Sequence, residues 1–301
     1  MLLRGSVAGA LVLALAACGG GGGVSVTADG SSTVGPFTTK AAEDWKAAGG
    51  SDVTVGISGT GGGFERFCAG ETDISNASRP IKDDEAEICE QNGVEYVELR
   101  VAIDALTNVV NIENDWVDCL TVDQLSVIWG PRSTVKSWKQ VDPSFPDVRL
   151  RLYGAGTDSG TFDYFTEAIN GESGASRSDY SATEDDNVTV QGVAGDRGAL
   201  GYFGFSYFEQ NQSTLKALEV DGGDGCVAPS VDAAQDGSYT PLSRPLFIYV
   251  KRSSLEEKED VRDFVRFALE KQQTIAQEAL FVPMSREQID EQLAKLESAT
   301  S

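Results

Sequence analysis

Three segments of this chain carry residues suited to gripping a small anion. They are Asp29-Gly30-Ser31-Ser32-Thr33-Val34-Gly35-Pro36, Ser58-Gly59-Thr60-Gly61-Gly62-Gly63 and Gly154-Ala155-Gly156-Thr157-Asp158-Ser159-Gly160-Thr161. Each reads as a Gly/Ser/Thr loop between a strand and a helix. Glycine lets the backbone approach a ligand closely. The helix that follows offers unpaired N–H groups at a partial positive end. Serine and threonine hydroxyls add donors without charge. Any one such loop is an ordinary helix start; three in one chain point to a tetrahedral oxyanion held from several sides. A fourth segment, Thr72-Asp73-Ile74-Ser75-Asn76-Ala77-Ser78-Arg79-Pro80, adds a cation. Arg79 precedes proline, which favours extended backbone, and its guanidinium has the fork geometry that matches two oxyanion oxygens. Its competing partners would be Asp73 and Asp83.

Composition removes several other chemistries. The chain has no histidine, so Ser-His-Asp and Cys-His catalysis are excluded. No calcium-type carboxylate loop and no Gly-Lys-Ser/Thr phosphate loop occurs. No metal site and no cofactor are expected. The formal net charge of -23 makes nucleic acid and anionic lipid surfaces unfavourable partners. An anion binder of this balance must create its attraction locally, from N–H groups and one or two arginines.

The elements that must position these loops alternate between strand and helix, which predicts an α/β fold. Val24–Ala28, Val53–Ile57, Arg149–Tyr153 and Leu246–Val250 read as strands. Val94–Val110 reads as β-rich with a polar break at Asp104. Helices are predicted over Lys40–Ala48, from Phe64, over Val122–Trp129 behind a Thr121 cap, and over Phe162–Ile169. Ser254 with Glu257 predicts a capping box, followed by Val261, Phe264, Val265, Ala268 and Leu269 at helical spacing. Ser285 with Gln288 predicts a second.

Residues 1–18 read as an export signal. Arg4 precedes an apolar run from Val7 to Ala17, too short to span a bilayer that needs about 20 residues. Leu15-Ala16-Ala17-Cys18-Gly19 resembles the bacterial lipoprotein signal, with cleavage before Cys18 and lipid on it. Residues 19–23 are all glycine and suit a flexible tether. The expected location is the extracytoplasmic face of the cell membrane, reached through this lipid alone. The other cysteines, Cys68, Cys89, Cys119 and Cys226, would then lie in an oxidising compartment, where two disulfides are expected against the alternative of free thiols. Four cysteines allow three pairings.

Taken together the motifs resemble the phosphate-binding lipoproteins of bacterial ABC phosphate transporters. The resemblance rests on Gly30-Ser31-Ser32-Thr33-Val34, Gly59-Thr60-Gly61-Gly62-Gly63-Phe64, Asp73 to Pro80, Asp158-Ser159-Gly160-Thr161-Phe162 and Gly198-Ala199-Leu200-Gly201-Tyr202-Phe203. It implies a two-lobed periplasmic-binding-protein fold of type II, a clamshell with two chain crossovers, placed near Thr107 and Ser243. Residues 24–107 with 243–301 would form lobe 1 and residues 108–242 lobe 2. The pairing Cys68–Cys89 and Cys119–Cys226 keeps each bridge within one such lobe and is the expected one. Carried over residue by residue, the implied donors are Ser32, Thr33 and the Val34 backbone, Thr60, then Ser159, Gly160 and Thr161. Two positions depart from the family pattern. Ser78 stands where some members carry an aspartate that accepts the ligand's proton, and Ala155 where they carry an arginine. Arg79 is the expected substitute for that charge and Asp158 the candidate acceptor.

The expected function is capture of inorganic phosphate by a monomeric, non-catalytic receptor that delivers it to an ABC permease. One alternative is the same fold tuned to another oxyanion such as sulfate. A second is a secreted phosphoester hydrolase with Ser159 or Thr161 as nucleophile. A third is an adhesive or sensory lipoprotein.

Overall fold

A computed structural model describes residues 26–157, 159–183 and 185–300. The signal segment 1–18 with Cys18, the tether 19–23 and Asp158 lie outside the described residues. In chain order the strands are β1 (Val26–Gly30), β2 (Val53–Val55), β3 (Ile74–Ala77), β4 (Tyr96–Asn111), β5 (Cys119–Thr121), β6 (Arg151–Ala155), β7 (Ser181–Thr183), β8 (Ala199–Gly204), β9 (Leu215–Ala217), β10 (Glu219–Asp221), β11 (Cys226–Val227) and β12 (Ser243–Lys251).

Nine of these form one sheet in the order β2-β1-β3-β12-β4-β8-β6-β7, with β9 also on β4. Its backbone is β4, a strand of 16 residues that serves both halves of the molecule. Residues 96–105 of β4 pair antiparallel with β12, and residues 106–111 pair antiparallel with β8 and β9. The change of partner falls between Ala105, opposite Ser243, and Leu106, opposite Gly204. On one side β1 lies parallel to β2 and β3; on the other β6 lies parallel to β8 and β7. A small sheet, β11-β10-β5, stands apart. The result is the two-lobed α/β architecture expected from the sequence.

Each lobe has its own apolar core. In the first, the helix Glu259–Glu270 buries Val261, Phe264, Val265, Ala268 and Leu269 against β12 residues Leu246, Ile248 and Val250. In the second, Phe165 stacks on Tyr202 with ring centroids 3.7 Å apart, and Trp129 packs edge-on to both rings. Such aromatic contacts contribute about 1 kcal/mol each beyond area burial. They fix the helix Gly160–Asn170, whose first turn is the end of the third Gly/Ser/Thr loop.

Two local expectations are corrected. Asp104 does not break β4, because its charge is met by Arg244 directly across the ladder. Ser254 is not a helix cap: Lys251 precedes a short helix, Arg252–Glu257, and the Ser254 hydroxyl donates to the buried Asp73 carboxylate at 2.7 Å. The caps at Thr121 and Ser285 form as expected. The disulfides are Cys68–Cys89 and Cys119–Cys226, the expected pairing. Among the described residues no helix is long and apolar enough to cross a membrane.

Candidate anion-binding cleft

The first loop is shaped at Gly30, where φ is +136° and an added Cβ would lie 2.2 Å from the Asn76 carbonyl oxygen. Only glycine fits such an approach. Asp29, almost fully buried, accepts the Gly30 N–H at 2.7 Å and pairs with Arg66. Ser31 takes the capping role, its hydroxyl accepting the N–H groups of Thr33 at 3.2 Å and Val34 at 3.4 Å. That leaves the side chains of Ser32 and Thr33 at the front of the loop.

The third loop faces them. Ser159 caps its helix by accepting the Thr161 N–H at 3.1 Å. Gly160 comes so close to the first loop that a Cβ on it would lie 2.5 Å from Thr33 Oγ1. The two loops line one side of an open cavity of about 240 Å³ whose walls include Ser32, Thr33, Ser159, Gly160 and Thr161 together with the carboxylates Asp104 and Asp186. Five of the sequence-predicted donors are thus brought together across the lobes. Val34 is buried beneath the first loop.

The second loop and the Ser78 segment form a neighbouring group. Thr60 Oγ1 lies 3.1 Å from Ser78 Oγ and accepts the Ser78 N–H at 3.2 Å. The Ser58 N–H donates to the Gly30 carbonyl, which ties this group to the first loop. Arg79 is engaged elsewhere than expected. Its terminal nitrogens donate to Glu85 at 2.7 and 2.8 Å, and its guanidinium lies over the Phe64 ring. Neither Asp73 nor Asp83 is its partner. The Glu85 hydrogen bond holds Arg79 more firmly protonated than usual. Burial pushes the Glu85 carboxyl up, but the hydrogen bonds and charges of Arg79 and Lys82 together outweigh it, and it ends below the usual carboxylate range.

Sequence reasoning missed a second charged pair, on the cleft wall. Arg244 Nε and Nη2 both donate to Asp104 Oδ2 at 3.3 Å, and Nη2 also donates to Thr33 Oγ1 at 3.3 Å. The guanidinium carbon sits 3.7 Å from the centroid of Tyr164, one helical turn beyond Thr161. Burial pushes the Asp104 carboxyl above the usual carboxylate range, against the opposing pull of Arg244. The signal available in the sequence was an aspartate inside an apolar strand and an arginine opening another. Nothing local says that the two are opposite each other.

A two-lobed chain whose lobes meet over a cleft lined by hydroxyls has the build of a periplasmic binding protein, and residues 17–272 match the PBP superfamily domain. Protein SphX of Synechococcus elongatus is 51% identical over 263 residues, covering 86% of this chain and 77% of that protein. Phosphate-binding protein PstS of Staphylococcus saprophyticus is 41% identical, covering 98% of this chain and 93% of that protein. The crystal structure of a possible phosphate binding protein from Planctomyces limnophilus superposes with a TM-score of 0.87 at 43% identity, covering 93% of this chain and 99% of that one. The chain belongs to the phosphate-binding protein family of the PBP superfamily.

Proposed function

We propose that this protein captures inorganic phosphate between its lobes and delivers it to the permease of an ABC transporter. The observation that carries the reading is the meeting of Ser32 and Thr33 with Ser159, Gly160 and Thr161 around one small cavity. A desolvated phosphate needs a hydrogen bond on nearly every oxygen, and hydroxyl and N–H donors from two lobes supply them only when the lobes close. Thr60 and Ser78 extend the donor set beside the first loop, with the Val34 backbone beneath it. Arg79 stands beside this group, its charge largely balanced by Glu85. Asp158 adjoins Ser159 in the third loop and stays a candidate acceptor. The protein acts as a monomer, anchored outside the membrane by lipid on Cys18.

The role is binding rather than catalysis. The Ser159 hydroxyl accepts the Thr161 N–H and keeps its own proton to donate, and no histidine exists to activate it or Thr161 as a nucleophile. Calorimetry on delipidated protein tests the reading. One phosphate per chain is expected at neutral pH. Absence of phosphate binding overturns it, and hydrolysis of a phosphoester by the purified protein would favour the enzymatic alternative.

A further inference from the structure

The chain carries 24 basic against 47 acidic side chains, yet one concavity on lobe 2 reverses that balance. It is a notch of about 280 Å³ beside β6, lined by Lys136, Arg149, Arg151 and Arg177, with Asp179 the one carboxylate among its described lining residues. It shares no lining residue with the interlobe cleft. The notch takes in the start of β6, whereas the third Gly/Ser/Thr loop leaves the other end of that strand.

A break in the sheet edge shapes the notch. Ser137 pairs with Arg149, and the Leu150 N–H donates to the Lys136 carbonyl. β7 joins the same edge only from Tyr153, opposite Ser181. Backbone groups of a strand turn alternately to its two neighbours, so the Leu152 N–H faces the edge that Leu150 uses, between those two partners. Charge pairing around this break leaves an excess. Arg177, its side chain 3% exposed, gives Nε and Nη2 to Asp179 at 2.6 and 3.0 Å and Nη1 to the carbonyls of Ile128 and Val135. Lys136 pairs with the same Asp179 carboxylate from the open side. Arg151 pairs with Asp196 at 2.7 Å. The Arg149 side chain has no hydrogen bond or ion pair among the described residues. Four cations therefore meet two carboxylates. Arg177 supplies charge from beneath, with its donors already used.

We propose that this notch binds a short chain of linked phosphates, with Arg149 and Lys136 as its main contacts and the Leu152 N–H as a further donor. The ligand is short because a net charge of -23 repels a long polyanion, whereas local cations dominate within a Debye length of about 8 Å. It is densely charged because a single exposed ion pair contributes little, and several must act together. Linked phosphates carry charge on every unit and offer pairs of oxygens to a guanidinium fork. The site stands apart from the cleft and does not rest on the phosphate reading of it.

Calorimetry on the full chain at about 0.15 M salt, with inorganic phosphate present in excess to fill the cleft, reads the notch alone. Tripolyphosphate is expected to bind once per chain. Citrate, whose three carboxylates are less densely charged, is expected to bind more weakly. Adenosine triphosphate separates the two sources of linked phosphate. Binding as tight as that of tripolyphosphate extends the site to nucleotides, and rejection confines it to free phosphate chains; both stand with the proposal. Arg149→Gln is expected to weaken tripolyphosphate at least about tenfold, the worth of a charge-assisted hydrogen bond, and Lys136→Gln to weaken it too. Both changes lie on the open surface, and unchanged phosphate binding in the cleft together with thermal melts shows that the variants are folded. No tripolyphosphate binding by the wild type, its displacement by excess inorganic phosphate, citrate binding as tightly, or an Arg149→Gln variant that binds like the wild type overturns the proposal.

Discussion

Gly160 of one lobe lies against Thr33 of the other, with room for a hydrogen but not for a methyl group. The contact joins the two loops that carry most of the proposed donors, and it exists only while the lobes are together. Gly160→Ala would place a carbon 2.5 Å from Thr33 Oγ1 and 3.4 Å from Thr33 Cα. Thr33 must then turn away or the lobes must part. The helix position itself favours alanine over glycine by about 1 kcal/mol, so the fold should not suffer. The expected outcome is an unchanged or higher melting temperature with phosphate affinity reduced at least about tenfold. Calorimetry and small-angle scattering check it; a closed, tight-binding variant would contradict it.

Arg79 was the cation the sequence put forward, and the structure gives it to Glu85. Arg79→Ala leaves Glu85 without its main partner and removes the stack on Phe64. The expected loss of phosphate affinity is less than about tenfold, because the pair is close to neutral as seen from the cleft and a partly exposed pair is worth about 1 kcal/mol. A loss of a hundredfold or more on titration would mean that Arg79 leaves Glu85 to bind the ion.

Which parts of this site could be read from the chain alone follows from how each is encoded. Loops such as Gly30–Gly35 and Ser159–Thr161 declare themselves because turn and cap chemistry is local. Asp104 and Arg244 do not, because only the register of β12 on β4 makes them partners. The same limit misplaced Ser254. Its spacing to Glu257 satisfies a local rule, yet the hydroxyl is claimed by Asp73 from far along the chain.

Asp73 also sets a pH prediction. Burial alone would raise its carboxyl, but hydrogen bonds from Lys258, Ser254 and Thr27 outweigh that and hold it below the usual range. A carboxylate depressed by folding contributes stability that is complete above its unfolded pKa of about 3.9 and is lost as pH falls through the folded value. Asp73→Asn should therefore melt earlier at neutral pH, by an amount equivalent to about 2 kcal/mol, with Lys258 free to turn to solvent. It should also show a shallower loss of stability in acid. Melting curves from pH 7 down to about pH 3 read both effects.

The bridge Cys119–Cys226 spans a sequence separation of 107 residues and ties β5 to β11 in the small sheet. Replacing both cysteines by serine frees that loop in the unfolded chain, an effect of up to about 5 kcal/mol. The Cys68–Cys89 bridge closes a loop of only 21 residues, and its removal should cost less, about 3 kcal/mol. Urea midpoints of the two double variants test the order; a larger loss from the short bridge would reverse it.

The unbroken run of β4 through both lobes makes the molecule a flexure rather than a pair of plates on a pin. A flexure bends about a neutral line where displacement is smallest, while its arms sweep the widest arc. Asp104 and Arg244 lie beside that line, next to the change of partners at Ala105 and Leu106. Thr33 and Gly160 ride on the arms. Bending of β4 would thus move the Asp104–Arg244 pair least and the loops that carry Thr33 and Gly160 most.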